Sequence, residues 1–177
     1  MTTVLRTCGC AQAYCGDYSE AIATLRRTVA AAPFDLGAWG YLGWPLTATG
    51  RQEDLQETLS ICARLLENAG SHPGAPYWQY HQSVAHLCLD ETEQARAAIE
   101  TCLAAQPEFA PGLIHYANVL GQLADDKGAA NALDRALQQN PQLSTDRYRG
   151  IIELLTDQAD VRSKRLAGLI KAGLLSP

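Results

Sequence analysis

Three cysteines near the start of the chain, Cys8, Cys10 and Cys15, carry the most versatile chemistry in the sequence, because thiolates bind metals and undergo redox reactions. A structural zinc site typically needs four ligands, with two residues between paired cysteines, and no fourth ligand lies within sequence range. Cys8 and Cys15 are seven residues apart and therefore share a helical face. We expect buried apolar residues here, with no metal and no cofactor. The same interpretation applies to Cys62, Cys88 and Cys102.

The histidines form no recognisable metal-binding or catalytic pair. His81 and His86 are five residues apart and point in different directions on a helix, while His115 lies in another part of the chain. The glycines that recur at every third position from Gly37 follow no strand and therefore lack the context of a phosphate-binding loop. No Ser or Cys has a nucleophile motif around it. We expect no enzyme, and a thiol-dependent or metal-dependent activity remains the third of three hypotheses.

The composition argues against nucleic acid and membrane as partners. The chain has 14 basic and 19 acidic residues and a net charge of -5, which does not suit a surface that follows phosphates. Basic residues are in excess only after Leu143, where we interpret them as solvent-exposed helix faces. No segment approaches 18 apolar residues, and the first ten residues do not resemble a secretory signal. We therefore expect a cytoplasmic protein with reduced thiols.

The positions of these residues are set by a repeat. Small or apolar markers recur at Ala21, Leu55, Ala95 and Ala129, with spacings of 34, 40 and 34 residues. A second apolar marker lies four residues after each of them. The longer spacing is explained by a turn-rich insertion, which we predict to be a loop at 70–76 and a joint between two half-stacks.

The unit Trp39-x-x-Leu42-Gly43-x-x-Leu46, followed by Gly50, Leu55, Leu59 and Cys62, resembles the tetratricopeptide repeat. The resemblance implies an all-α fold, a right-handed superhelical solenoid of antiparallel helix pairs, in which the first helix of each pair lines a concave groove. We predict one domain over 1–177 with five helix pairs, of which the last closes the stack. Their predicted ranges are 3–32, 36–69, 76–105, 110–139 and 144–173.

The end of the chain, Arg165-Leu-Ala-Gly-Leu-Ile-Lys-Ala-Gly-Leu-Leu175, resembles the tail of tetratricopeptide regions in bacterial adenylate cyclase-like and winged-helix signalling proteins. Those relatives have a catalytic or DNA-binding domain upstream. Here the predicted helices begin within a few residues of Met1, so we expect no such domain. The resemblance implies a regulatory role in bacterial signalling or transcription.

Helix 76–89 departs from the repeat pattern. The pattern places Gln79, Gln82, Ser83 and His86 against the partner helix, where apolar residues are usual. The apolar stripe instead contains Tyr77, Tyr80, Val84 and Leu87. The helix is therefore either rotated or buries a polar network, and we favour rotation.

Applied to this sequence, the resemblance predicts a binding groove for a protein or peptide. Its residues are Tyr41, Trp44, Tyr77, Tyr80, His81, His115 and Asn118. Such an aromatic surface suits a peptide with apolar anchors. We expect no carboxylate clamp of the kind found in chaperone-tail binders, because the matching positions hold Arg6, Cys10, Tyr41, Tyr77 and His81.

Two alternatives remain open for these aromatic residues and for the function. The aromatic side chains could pack between neighbouring helices rather than face a ligand. The stack could also self-associate, as a homodimer, and have no peptide ligand at all.

Overall fold

The structure is a computed structural model that describes residues 2–142, 144–156 and 158–175, and within these ranges it contains α-helices and no strand. The all-α solenoid predicted from the sequence is thereby confirmed, with five consecutive helix pairs. The helices are α1 Thr2–Tyr14, α2 Tyr18–Ala31, α3 Leu36–Thr49, α4 Gln52–Ala69, α5 Ala75–Cys88, α6 Thr92–Ala105, α7 Ala110–Gln122, α8 Asp126–Gln139, α9 Thr145–Leu155 and α10 Ala159–Lys171.

Short polar side chains set several helix starts. The Asp35 carboxylate accepts a hydrogen bond from the Ala38 amide at 3.0 Å, and the Ser144 hydroxyl accepts one from the Arg147 amide at 3.1 Å. Each bond satisfies an amide that has no partner inside the helix, and a cap of this kind contributes about 1 kcal/mol. Helix α3 ends at Gly50, whose φ of 65° is a left-handed conformation that glycine adopts without strain.

The repeat markers form the core of the stack. Ala21, Leu55, Ala95 and Ala129 are at most 2% exposed, as core positions of the repeat should be. The four residues at the second marker position are buried or half-buried. Burial of a large apolar side chain contributes roughly 1.5–3 kcal/mol, so this periodic set accounts for much of the packing energy.

Helix α5 is not rotated, contrary to our expectation. Its Ser83 is fully buried and donates a hydrogen bond of 2.7 Å to the Ala95 carbonyl of α6, as the repeat register requires. The polar network that we weighed against rotation is present, since the Ser83 hydroxyl oxygen also lies 2.9 Å from His115 Nε2. The Ser83 hydroxyl is thus satisfied both as donor and as acceptor, which makes its burial in this register acceptable.

The insertion is shorter and more firmly packed than predicted. Its irregular part covers 70–74, and the His72 ring stacks on the Trp78 ring with centroids 5.2 Å apart. Trp78 is 3% exposed and belongs to one core cluster with Leu42 and Leu46 of α3. The prediction of a joint between half-stacks is therefore wrong, because α5 shares its core with the helices before the insertion.

The fifth helix pair does not lie at the end of the stack, where we expected it. Helix α10 packs against α7 and α5, the helices that line the concave side. The Thr156 hydroxyl, which precedes α10, donates to the Ala48 carbonyl of α3 at 2.6 Å. The pair thus folds back over the groove, and glycines at Gly121 and Gly168 allow the backbones of α7 and α10 to touch.

The cysteines divide into two groups. Cys62, Cys88 and Cys102 are buried, as predicted, and burial raises the pKa of these thiols, for example to about 12 in Cys62. Cys8 and Cys15 are exposed, which corrects our expectation. Helix α1 lies at one end of the stack and buries only Gly9 and Ala13.

No described helix is both long enough and apolar enough to cross a membrane. Within the same residues, His, Cys, Asp and Glu side chains form no group of three or more that could hold a metal ion.

Candidate functional site

The main candidate site is a cavity of about 320 Å³ on the concave side, enclosed by the repeat helices and by α9 and α10. We call it the aromatic cavity. Five of the seven predicted groove residues line it, namely Tyr41, Trp44, Tyr77, Tyr80 and His81. Its other lining residues are Tyr14, Thr47, Val84, Phe109, Pro111, Tyr148, Ile151, Leu155 and Arg165. The repeat register places the five together because corresponding positions of successive first helices are neighbours in space.

Ring contacts connect the aromatic residues across helices. The Tyr14 and Trp44 rings meet edge to face with centroids 4.4 Å apart, and Tyr77 meets Phe109 at 5.2 Å. Edge-to-face pairs of this kind contribute about 0.5–1.5 kcal/mol beyond the burial of their surface. These contacts hold the aromatic side chains of different helices against one another.

The rim of the cavity is open to solvent. Tyr41 and Tyr77 are 49% and 50% exposed, so half of each ring is available for contact. Tyr80 is half-buried and packs against core residues of two clusters, as our packing alternative would have it. The packing alternative thus applies to Tyr80, whereas the assignment of Tyr41 and Tyr77 to a ligand surface stays a prediction.

His115 and Asn118 are fully buried, and their prediction as groove residues is wrong for this structure. Asn118 is covered by α10, whose Gly168 amide donates to Asn118 Oδ1 at 2.8 Å. The Asn118 amide group in turn donates to the Lys164 carbonyl at 3.1 Å. Both residues do lie on the concave side of α7, but α10 and the Ser83 network already occupy their polar atoms.

The hydrogen bonds around Ser83 indicate the tautomer of His115. The Ser83 hydroxyl has a single hydrogen, which it donates to Ala95, so its oxygen accepts from His115 Nε2–H. Nδ1 is then the unprotonated nitrogen, and it has no partner among the described residues. Burial, followed by the positive charge of Arg165, lowers the pKa of His115 to about 3, so the ring stays neutral at physiological pH.

His81 borders the cavity and is also neutral. Its ring lies 5.6 Å from the Tyr80 ring, between centroids, and the side chain is half-buried. Desolvation lowers its pKa to about 4, and the charge of Arg165 acts in the same direction. The cavity therefore presents an imidazole that can accept or donate a hydrogen bond without adding a charge.

Arg165 is the most unusual residue of the site. It is 5% exposed, and its guanidinium donates a hydrogen bond of 2.9 Å to the Tyr80 hydroxyl. Its Nε has no hydrogen-bond partner among the described residues, and none of the ion pairs found there includes it. The Tyr148 hydroxyl lies near this guanidinium without a hydrogen bond of good geometry, and burial raises its pKa.

Three lining residues, Tyr14, Tyr148 and Arg165, are not among the groove residues predicted from the sequence. The repeat pattern predicts Tyr148 and Arg165 in a helix pair at the far end of the stack, with Arg165 on a solvent-exposed basic face. The small residue Gly168 in the last helix was the available signal, because glycine allows a helix to approach another backbone closely.

Comparisons with protein-family models and with curated proteins gave no match to this sequence. The structure is similar to that of TTC0263, a thermophilic TPR protein of Thermus thermophilus, with a TM-score of 0.74 at 19% identity over 97% of this chain and 90% of that one. It is similar to the MamA protein, with a TM-score of 0.62 at 18% identity over 97% and 89% of the two chains. A tetratricopeptide repeat protein from Parabacteroides merdae matches at 0.60 with 21% identity, over 96% of this chain and 65% of that one.

These similarities and the helix-pair architecture define the class of fold. The chain has the fold of tetratricopeptide repeat proteins. The pair α9–α10, which lies back over the concave side, adds Tyr148 and Arg165 to the surface that the repeats provide.

Proposed function

We propose that this protein is a non-enzymatic scaffold that binds a protein or peptide segment at the aromatic cavity. The observation that carries the proposal is the open aromatic rim, where Tyr41 and Tyr77 expose half of their rings beside an apolar cavity. Large exposed aromatic side chains beside an apolar cavity are typical of the centre of a protein interface. A partner would place an apolar side chain between these rings.

The location of α10 limits how the partner binds. A segment that ran along the whole concave side would have to displace α10 from Asn118 and Gln122, which both donate hydrogen bonds to the Lys164 carbonyl. The rim formed by Tyr41, Trp44 and Tyr77 needs no such displacement. We therefore expect the partner to dock mainly on the rim, on the side of α3 and α5.

The wider context is part of the same proposal. We place the protein in the cytoplasm of a bacterium, in a regulatory role within signalling or transcription, as its C-terminal sequence suggests. The concave side offers a protein partner aromatic contacts rather than a basic surface, and we propose neither nucleic acid nor membrane as a partner.

Self-association is a second candidate function, favoured by a separate observation. Val4 in α1 is 71% exposed, and Phe34, which lies between α2 and α3, is 94% exposed. A second copy could cover these residues in a homodimer. Measurement of the solution mass over a range of concentrations, with and without reductant, tests this candidate, and a constant monomer mass contradicts it.

The peptide proposal is tested by selection from a displayed library of random peptides. Wild-type protein should enrich peptides with apolar anchors, and Tyr77→Ala and Trp44→Ala should each weaken their binding by about 1–3 kcal/mol. Phe34→Ala is the control, because it removes an exposed aromatic ring that is not part of the cavity lining. Peptides that bind all of these proteins equally would contradict the proposal.

A further inference from the structure

No carboxylate among the described residues forms an ion pair with Arg165. Guanidinium groups stay protonated at any physiological pH, and burial of a cation without an anion is unfavourable. The groups whose anionic forms would stabilise Arg165 are Tyr80, Tyr148 and Cys88, and none of them is a carboxyl group. Burial raises the pKa of the Cys88 thiol to about 11 and also raises that of Tyr148, so neither of these two is anionic at neutral pH.

Lys164, which precedes Arg165 in α10, is by contrast a cation with an anionic partner. Lys164 Nζ lies 3.0 Å from the Asp90 carboxylate and donates to the Cys88 carbonyl at 2.7 Å. Lys164 is therefore held by an anion outside the cavity. Arg165, one residue further, faces a lining that contains no Asp or Glu.

Three polar atoms in residues that line the aromatic cavity lack a hydrogen-bond partner among the described residues, and all three are able to donate. Trp44 Nε1, Arg165 Nε and the Tyr148 hydroxyl are shielded from water and lack a well-formed hydrogen bond among the described residues. The first two are donors only, and the hydroxyl is able to donate. All three residues line the same cavity, so what is missing there is an acceptor.

The remainder of the lining is apolar or aromatic apart from Thr47, whose hydroxyl donates to the Trp44 carbonyl. The cavity volume of about 320 Å³ lies at the lower end of the roughly 300–1,000 Å³ typical of small-molecule sites. The lining residues come from six helices, α1, α3, α5, α7, α9 and α10, or from residues adjoining them. A hollow of this size accepts a compact group that enters from the open rim. His81 is neutral there, so among the described residues of the lining Arg165 alone carries a formal charge.

We propose that the aromatic cavity binds a small organic acid, whose carboxylate lies against Arg165, Tyr148 and Trp44 and whose compact apolar body lies among the aromatic rings. A carboxylate supplies the negative charge and the acceptor lone pairs that these residues lack. The site is built from the pair α9–α10 as well as from the repeats, so the acid bridges α10 to the repeat wall. The inference does not depend on a peptide partner.

The test compares acids with amides of the same shape. Phenylpropionate and indoleacetate are titrated into the wild-type protein beside phenylpropionamide and indoleacetamide, with binding measured by calorimetry. We expect the acids to bind on the order of 10-fold more tightly than the amides, because a charge-assisted hydrogen bond is lost in the amide. Equal affinities of acid and amide, or no binding of either, would overturn the proposal.

Two variants test whether Arg165 is the residue that makes the cavity prefer acids to amides. Arg165→Met should abolish the difference between acid and amide, whereas Lys164→Met, the matched control, should retain it. The thermal midpoint of Arg165→Met should be equal to or above that of the wild type, because an uncompensated buried charge is removed. Retention of the preference in Arg165→Met would refute the assignment.

A measurement on the wild-type protein covers the case in which Arg165→Met does not fold. A bound carboxylate would offset the charge of Arg165, so the pKa of His81 should rise from about 4 when phenylpropionate is added, as followed by NMR of the imidazole. Phenylpropionamide should leave it unchanged. If a peptide that carries the same acidic group binds and the free acids do not, the small-molecule proposal is wrong and the site serves a peptide anchor.

Discussion

The Gly168 amide donates a hydrogen bond of 2.8 Å to the side-chain oxygen of Asn118, which joins α10 to α7 on the concave side of the solenoid. The amide group of the same side chain donates to the Lys164 carbonyl at 3.1 Å. One fully buried Asn therefore satisfies two backbone groups of α10. Because the position of α10 brings Arg165 to the cavity, this pair of helices determines the chemistry of the candidate site.

Gly168→Ala should destabilise the protein by about 1–3 kcal/mol, because an added methyl group would collide with the backbone of α7. The Asn118 carbonyl and the Gln122 amide are the atoms it meets, and backbone cannot move aside as a side chain can. Chemical denaturation measures the change. Gly150→Ala is the matched control, since it lies in α9 with nothing within 4 Å of an added methyl group. It should be neutral or stabilising by up to about 1 kcal/mol, and equal losses for both variants would contradict the close contact.

Tyr41→Ala and Tyr80→Ala should separate recognition from stability. Tyr41 is 49% exposed, so its removal should change the free energy of unfolding by no more than about 0.5 kcal/mol. Tyr80 packs against two core clusters and accepts a hydrogen bond from Arg165, so its loss should cost at least about 2 kcal/mol. Thermal and denaturant unfolding give both numbers. A pronounced loss in Tyr41→Ala would show that the rim is part of the core and unavailable to a partner.

The thiols should react in an order set by their exposure. In the folded protein, Cys8 and Cys15 should be alkylated rapidly by iodoacetamide, because both side chains are exposed. Cys62, Cys88 and Cys102 should react only after unfolding, since they are buried and burial raises their pKa values. Mass spectrometry of the digested protein assigns each site. Early labelling of Cys62 or Cys102 would show that the core between helix pairs opens in solution.

The repeat could be read from the sequence because its markers are local and recur in phase. Ala21 and Ala95 meet the same kind of neighbour within their own helix pair, so spacing alone locates them. The location of α10 could not be read in this way, because it depends on contacts between residues far apart in the chain, such as Asn118 with Gly168. The same holds for Arg165, which looks like a surface residue when only its neighbours in sequence are considered.

The orientation of α5 shows a second limit of sequence patterns. Gln82, Ser83 and His86 look misplaced on a face that should be apolar, and rotation of the helix would remove the conflict. The longer side chains Gln79, Gln82 and His86 are instead only half-buried, and the fully buried Ser83 finds its partner in another repeat, since His115 donates to its hydroxyl. A buried polar group becomes acceptable when its partner is present, and that partner cannot be identified from one helix alone.

The stability of the folded protein should fall as the pH decreases from about 6.5 toward 4, in part because of His115. The ordinary pKa of a histidine is about 6.5, whereas burial lowers that of His115 to about 3. Over this range the unfolded chain binds a proton that the folded protein does not bind, so acid favours unfolding. Each pH unit inside the window removes up to about 1.4 kcal/mol, and the contribution is fully present above pH 6.5.

The contribution of His115 is isolated by comparing the pH dependence of unfolding in His115→Gln and His72→Gln. Glutamine cannot take up a proton, so the free energy of unfolding of His115→Gln should decline less steeply between pH 6.5 and 4 than that of the wild type, even if its value at pH 7 is lower. His72 is an exposed histidine, and glutamine can still accept the hydrogen bond that His72 Nδ1 accepts from the Gly74 amide at 2.9 Å. His72→Gln leaves His115 in place and is therefore the reference for the loss of a histidine elsewhere in the chain. If His115→Gln kept the wild-type slope, His115 would be protonated in the folded protein near its ordinary pKa, and the buried Ser83–His115 hydrogen bond would not hold the neutral ring in solution.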